Sequence, residues 1–380
     1  MTETAAHSPF APRSDGSRRC VVHIGLSKTG TTAIQSVLHA NWALLKTRGL
    51  FFPNLYGERY AQISLSAYVQ LASGEDLPQY IARRLPLDTP EKRASFVQGF
   101  PARLHNAINE VANLQGPGTV LLSCEDLSLS VRTDEQFRIL RELIEPRFDE
   151  VTYLVYIRRQ EDRILSRYSQ TLRGGVSHTM DAFMTNPALY DTRTVLDRWA
   201  AHIGRDRLHV RLFDRSTLTG GDLMQDFFGL FGVDPSELSI SERSNEAYWP
   251  EAVPFLVRMN QLLPELEDRL PAGFRARLVQ AVDGAAAGRE KLRLTPDQAQ
   301  EIRRRNAPHE KAILETYFPE RETLFPERPL PAPQAQEADD EADAVARVAI
   351  EVLLDWWDEM TVAKRTEAAA RQEVDHIETF

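Results

Sequence analysis

Apolar, β-branched runs of strand length occur at Cys20–Ile24, Thr119–Ser123, Val151–Ile157 and Leu208–Phe213, and a shorter run, Leu50–Phe52, stops at Pro53. Helix-period patterns separate them: after Gly30, around Ala102–Leu114, Glu135–Ile144, Ile164–Leu172, Thr194–Ile203 and Leu223–Phe231. In the first of these, Ile34, Val37, Leu38, Trp42 and Leu45 recur on one face. Strands alternating with helices predict an α/β fold of three layers, a central parallel sheet with helices on both faces. Ligands of such sheets collect at the carboxyl ends of the strands. The segments that would lie there are the loop after Ile24 and those after Ser123 and Ile157.

Residues 61–100, with Pro78, Pro86 and Pro90, form an insertion suited either to wall a substrate pocket or to pack as a subdomain. From Glu246 the chain is mostly helical in pattern until a Pro-rich stretch at Pro326–Pro333, followed by the acidic run Glu337–Asp343. Beyond it Val345, Val348, Val352, Trp356 and Met360 recur at helical spacing, widened by Leu353 and Trp357. The organisation expected is a disordered lead-in at 1–18, one domain over 19–328, a linker at 329–343 and an acidic amphipathic helix over 344–380. That helix needs a surface to cover its apolar stripe: its own body, a second copy or another protein.

Composition narrows the class. The net charge of −10 belongs almost wholly to the tail, where residues 331–380 carry 13 acidic and 4 basic side chains. The remaining 330 residues are close to neutral, with 42 acids against 41 bases, and carry no basic stripe for nucleic acid. Two cysteines, Cys20 and Cys124, make neither a disulfide framework nor a metal cluster. No run approaches the roughly 20 apolar residues of a membrane span, and the first 18 residues hold no apolar leader core. A cytoplasmic protein is the expectation.

The chemistry concentrates in His23-Ile24-Gly25-Leu26-Ser27-Lys28-Thr29-Gly30-Thr31-Thr32. A strand, a Gly-containing turn and a helix start converge backbone N–H groups on one point, where the helix dipole adds positive charge. Gly25 and Gly30 have the separation of the P-loop of nucleotide triphosphatases, but that loop places lysine directly after its second glycine. Here Thr31 holds that position and the lysine, Lys28, lies inside the loop, out of register for the β- and γ-phosphates of a magnesium-bound triphosphate. A second anion site follows the third long strand. Arg158 ends it, and Ser166 comes eight residues later on the next helix. Arginine suits phosphate because its planar fork binds two oxygens at once. The surrounding Glu161, Asp162, Arg163 and Arg167 have the spacing of a solvated charged face paired within itself.

Two anion sites at neighbouring strand ends call for a ligand with two phosphate-like groups. Lys28-Thr29-Gly30-Thr31-Thr32 resembles the 5′-phosphosulfate loop of the sulfotransferase family, and the Arg158–Ser166 pair is similar to that family's 3′-phosphate motif. Leu208–Phe213 with Asp222–Val233 resembles its fourth strand and following helix, Arg243-Ser244-Asn245-Glu246 its late nucleotide-side loop, and Tyr317–Phe325 its C-terminal turn. The resemblance spans roughly residues 19–328 and implies a P-loop-like fold and transfer of a sulfuryl group from 3′-phosphoadenosine 5′-phosphosulfate to a hydroxyl of a glycan or small metabolite. Ser27, Lys28, Thr29, Gly30, Thr31, Thr32, Arg158, Ser166 and Asn245 would hold the donor, with Lys28 stabilising the leaving phosphate. No metal is implied, because a monoanionic sulfuryl group needs less countercharge than a γ-phosphate.

Glu125, just past a strand's carboxyl end, is the candidate general base; with Asp126 it has an alternative use as the acidic opening of the next helix. His178 is the other candidate base. The sequence departs from the family where Gln160 replaces a proline often found after the strand-end arginine, so Arg158 and Arg159 both stay open as the phosphate ligand. Two other functions remain: a P-loop kinase or NTPase, and a nucleotide-binding scaffold acting through its C-terminal helix.

Overall fold

In a computed structural model, residues 8–333 are described except 14, 16, 56–60, 113–117, 241–247, 251, 267–272 and 286–287, and beyond 333 only 348 and 352. The chain divides into two compact units. The first comprises residues 1–163, 187–243 and 302–329, and the second residues 164–186, 244–301 and 330–380.

The first unit holds a five-stranded sheet: β1 (Arg19–His23), β2 (Leu50–Phe51), β3 (Thr119–Ser123), β4 (Glu150–Arg158) and β5 (Leu208–Phe213). All neighbours pair in parallel, in the order β2-β3-β1-β4-β5. This is the expected α/β class with helices flanking a central parallel sheet. The inner strands β3, β1 and β4 are buried almost throughout because both faces are covered, whereas the edge strand β5 leaves His209 exposed and Val210, Arg211 and Phe213 half-buried. Cys20, Val22, Val120, Leu122, Tyr153 and Val155 join one buried cluster, while the alternate residues Val21, Leu121, Leu154 and Tyr156 join the other.

Against the second cluster pack α1 (Thr31–Ala40) and α2 (Trp42–Thr47). The larger cluster is covered by α3 (Ile63–Ala72), α4 (Gln79–Arg84) and α5 (Pro90–Ala112). After β3 come the short α6 (Leu127–Ser130) and α7 (Asp134–Ile144), whose Thr133–Gln136 capping box fixes its start. From β4 the chain enters α8 (Gln160–Gly174). Beyond α9 (Met180–Met184) it returns to the first unit through α10 (Thr192–Ile203) and, after β5, α11 (Leu223–Gly229). The second unit contains α9, α12 (Ala252–Leu266) and α13 (Phe274–Gly284); α14 (Pro296–Tyr317) leads back to the first.

Two expectations need correction in detail. The amphipathic run after Gly30 is broken at Asn41, whose side chain exchanges two hydrogen bonds with the Ser239 backbone. The break rotates the stripe, so Ile34, Val37, Leu38 and Leu45 are buried but Trp42 is 57% exposed. Within the lead-in, Phe10 is only 2% exposed: its N–H donates to Leu230 O, and its carbonyl accepts from Thr119. An aromatic ring has enough apolar area to hold such a segment on a core. Among the described residues no helix is long and apolar enough to cross a membrane. The proposed 344–380 helix lies outside the described residues, apart from 348 and 352.

Candidate functional site

Parallel pairing of β3, β1 and β4 brings the segments after all three strands to one end of the sheet. Between them runs the loop from Ile24 to Gly30. Three of its residues have left-handed backbone: Gly25 (φ 55°), Lys28 (φ 73°) and Gly30 (φ 82°). Glycine takes that conformation freely, whereas a residue with a Cβ does so at a cost of ~1 kcal/mol or more. Lys28 therefore carries local strain, a feature concentrated at functional sites.

Gly25 also answers a steric need. A Cβ there would stand 2.8 Å from Thr31 Cγ2 and 3.1 Å from Glu125 Cα, so only glycine lets the helix start and the end of β3 close on the loop. Gly30 occupies the N-cap position of α1, and no side chain caps that helix. Its first N–H groups thus have no helical acceptor and face outward, as an anion site requires.

The hydroxyls of the loop divide their roles. Thr29 is buried and its Oγ1 donates to Leu26 O at 2.7 Å, closing the turn. The hydroxyl hydrogen of Thr29 is thus used in shaping the loop. Ser27 Oγ is buried and has no hydrogen-bond partner among the described residues, an arrangement a bound oxyanion would satisfy. Thr32 is exposed on the first turn of α1. Thr31 is buried and donates to Glu125 Oε2.

That bond joins the phosphate-type loop to the candidate base. Glu125 does not cap α6: its side chain turns to Thr31, and its carbonyl accepts from Ser128 Oγ. Burial pushes its carboxyl above the ordinary range, as does Asp126, against the Thr31 bond and the nearby cations Lys28 and Arg163. Asp126 accepts a hydrogen bond from the Tyr80 hydroxyl.

Arg158 and Arg159 go separate ways. Arg158 Nη1 donates to Lys28 O at 3.1 Å, its guanidinium lying 5.3 Å from the Phe213 ring centroid. It braces the strained loop and keeps its remaining donors at the same strand end. Arg159 is buried on Phe325 and donates to Pro326 O at 2.5 Å. Three members of the charged run beyond pair outside it. Arg163, wholly buried, binds Asp191 at 3.0 Å, Glu161 binds Arg303 at 2.7 Å, and Asp162 binds Arg328 at 2.7 Å. Each partner is far along the chain, which no helical spacing reveals.

Ser166 and His178 belong to the second unit, where His178 is exposed and its carbonyl accepts from Tyr168. Asn245 lies outside the described residues. Both cysteines are buried and unbridged.

Beneath the loop lies a polar chain that sequence patterns did not assign. Gln35 Nε2 donates to Ser123 Oγ at 3.1 Å, and Ser123 Oγ lies 3.0 Å from His23 Nδ1. The serine hydroxyl, with two acceptor lone pairs and one hydrogen, accepts from Gln35 and shares one further hydrogen bond with Nδ1. Nε2 has no polar partner among the described residues and the ring packs on Phe227, so burial pushes the His23 pKa down to about 4. A cavity of about 360 Å³ lies elsewhere, against α7 and α10 near the entry to β4, lined by Phe137, His202 and charged side chains. Among the described residues no three His, Cys, Asp or Glu side chains group as a metal site.

No protein-family model matches this chain, and no curated protein does. Among solved structures, a sulfotransferase from Alicyclobacillus acidocaldarius matches 79% of this chain and 96% of its own, at 11% identity and a TM-score of 0.37.

Proposed function

We propose that the first unit transfers a sulfuryl group from 3′-phosphoadenosine 5′-phosphosulfate to an acceptor hydroxyl. The observation that carries this reading is the Lys28–Thr31–Glu125 constellation: an intraloop lysine in left-handed backbone, beside a hydroxyl tied to a carboxyl of raised pKa. The uncapped start of α1 and the unpartnered Ser27 Oγ suit the 5′-phosphosulfate. Arg158, at the end of β4, suits the 3′-phosphate, and Arg159 is committed to Phe325 and Pro326.

In the reaction an acceptor oxygen bonds to sulfur as the bond from sulfur to the 5′-phosphate oxygen breaks. The acceptor's proton passes to Glu125, and Lys28 with the α1 N–H groups stabilises charge gathering on the leaving phosphate. A raised carboxyl pKa makes Glu125 a better proton acceptor than a solvated glutamate, and Thr31 holds the carboxyl in place.

Thermal melts test the donor. Adenosine 3′,5′-bisphosphate should stabilise the protein without magnesium, and Lys28→Ala should keep that response while losing nearly all transfer. A response to ATP with magnesium, and none to the bisphosphate, would replace this reading with a phosphotransferase.

A further inference from the structure

The strand order partitions the candidate site. Lys28 follows the central strand β1; Arg158 follows β4 on one side, and Glu125 with Asp126 follows β3 on the other. If the donor's phosphates take Lys28 and Arg158, as proposed above, the acceptor must approach from the β3 side. That side is walled by the insertion. Gln62 N–H donates to Ser123 O at 3.0 Å, Ser123 N–H donates to Gln62 Oε1 at 2.8 Å, and Ser66 Oγ donates to Ser130 Oγ at 2.9 Å.

On this wall Tyr80 stands out. It opens α4, whose Ile81 and Ala82 are buried, yet its own ring is 55% exposed. An exposed aromatic ring is ordinarily free to rotate away; this one is held by its hydroxyl, which donates to Asp126 next to Glu125. Burial of the hydroxyl end and the two carboxylates keep the phenol protonated, raising its pKa. The result is a fixed aromatic face beside two carboxyls. The cations that lower the Glu125 carboxyl pKa are Lys28, assigned to the donor, and Arg163, paired with Asp191, while Arg198 and Arg132 beyond it are bonded to the α6 carbonyls of Ser128 and Leu129.

We propose that Tyr80 positions the acceptor, and that the acceptor is a ring-bearing alcohol of neutral or positive charge rather than a polyanion. The aromatic face packs against the C–H face of the acceptor ring. Asp126 and Glu125 accept hydrogen bonds from its hydroxyl or ammonium groups and repel carboxylates or sulfates.

The test uses the full chain, ³⁵S-labelled donor and three probe acceptors: cellobiose (neutral), a glucosamine disaccharide (cationic) and a glucuronate-containing disaccharide (anionic). The neutral or cationic probe should be used with at least about tenfold higher kcat/KM than the anionic one. Tyr80→Ala should raise the acceptor KM by about tenfold with the bisphosphate Kd unchanged within about twofold. Tyr80→Phe keeps the ring but loses the hydroxyl that holds it, and its acceptor KM should fall between those of Tyr80→Ala and the natural protein, about threefold above the latter. Preference for the glucuronate probe, an acceptor KM indifferent to Tyr80→Ala, or bisphosphate binding without transfer to any probe would each overturn the inference while leaving donor recognition standing. Failure to bind the bisphosphate at all would remove the sulfuryl-transfer reading itself.

Discussion

Replacing Lys28 by glycine and by alanine separates what the lysine does chemically from what its backbone costs. Both variants remove the ammonium group and every contact of the side chain beyond Cβ, so those losses cancel when the two are compared. What differs is the fit to φ 73°. Alanine keeps the Cβ that crowds the following carbonyl oxygen in the left-handed region, at ~1–2 kcal/mol. Glycine is free of that cost but brings a more flexible unfolded chain, an opposing ~0.4–1 kcal/mol. Lys28→Gly should therefore be more stable than Lys28→Ala by about 0.5–1 kcal/mol, provided the loop keeps its shape. Urea unfolding of the two variants measures the difference in midpoint at a common slope. Transfer should fall by ~10²–10³-fold in both, the loss typical of removing one preorganised charge-stabilising group. An alanine variant as stable as the glycine variant would refute the idea that the loop holds its lysine under strain. Substantial activity in the glycine variant would refute the role of the ammonium.

Two other outcomes follow from buried titratable groups. Because the folded His23 pKa lies near 4, below its unfolded value of 6.5, the unfolded chain binds a proton that the folded one does not across that window. Stability should be full above pH ~6.5 and fall by up to ~3 kcal/mol as pH drops towards 4, and His23→Gln should flatten this decline in urea midpoints measured against pH. For Glu125 the sign is opposite: its folded pKa is raised, so ionising it at neutral pH costs stability. Glu125→Gln should then melt at or above the temperature of the natural protein at pH 7, bind the bisphosphate normally and lose transfer; a lower melting temperature contradicts this. In the natural protein, kcat/KM should rise with pH through a limb above the ordinary glutamate range.

The inner strands were legible because burial on both faces leaves a continuous apolar run, and the edge strand β5 because Leu208, Val210 and Leu212 alternate with His209 and Arg211. Thr119–Ser123 and Leu208–Phe213 match the structure residue for residue, and Val151–Ile157 extends by one residue at each end. The loop was legible for a related reason: Gly25 and Gly30 mark the backbone where it must turn left-handed. Nothing in the sequence marks Lys28 as left-handed, since lysine has no preference for that region and neighbouring contacts impose it. The charged run at Glu161–Arg167 had the spacing of a self-paired helix face, yet Glu161, Asp162 and Arg163 pair instead with Arg303, Arg328 and Asp191, over 28 to 166 residues of chain. Trp42 is the converse case, an apolar residue in register with a core stripe until Asn41 breaks the helix.

Local sequence alone determined the layered α/β class, the place of the glycine loop between β1 and α1 and the strand-end positions of Arg158 and Glu125, because these depend on hydrophobic period and on residues adjacent in the chain. Tertiary structure alone decided which groups meet: Thr31 with Glu125, Tyr80 with Asp126, Arg158 with the Lys28 carbonyl. Each of these contacts joins residues 46 to 130 positions apart. They exist because parallel pairing in the order β2-β3-β1-β4-β5 carries distant strand ends to one edge of the sheet, a placement that strand order sets and chain order does not.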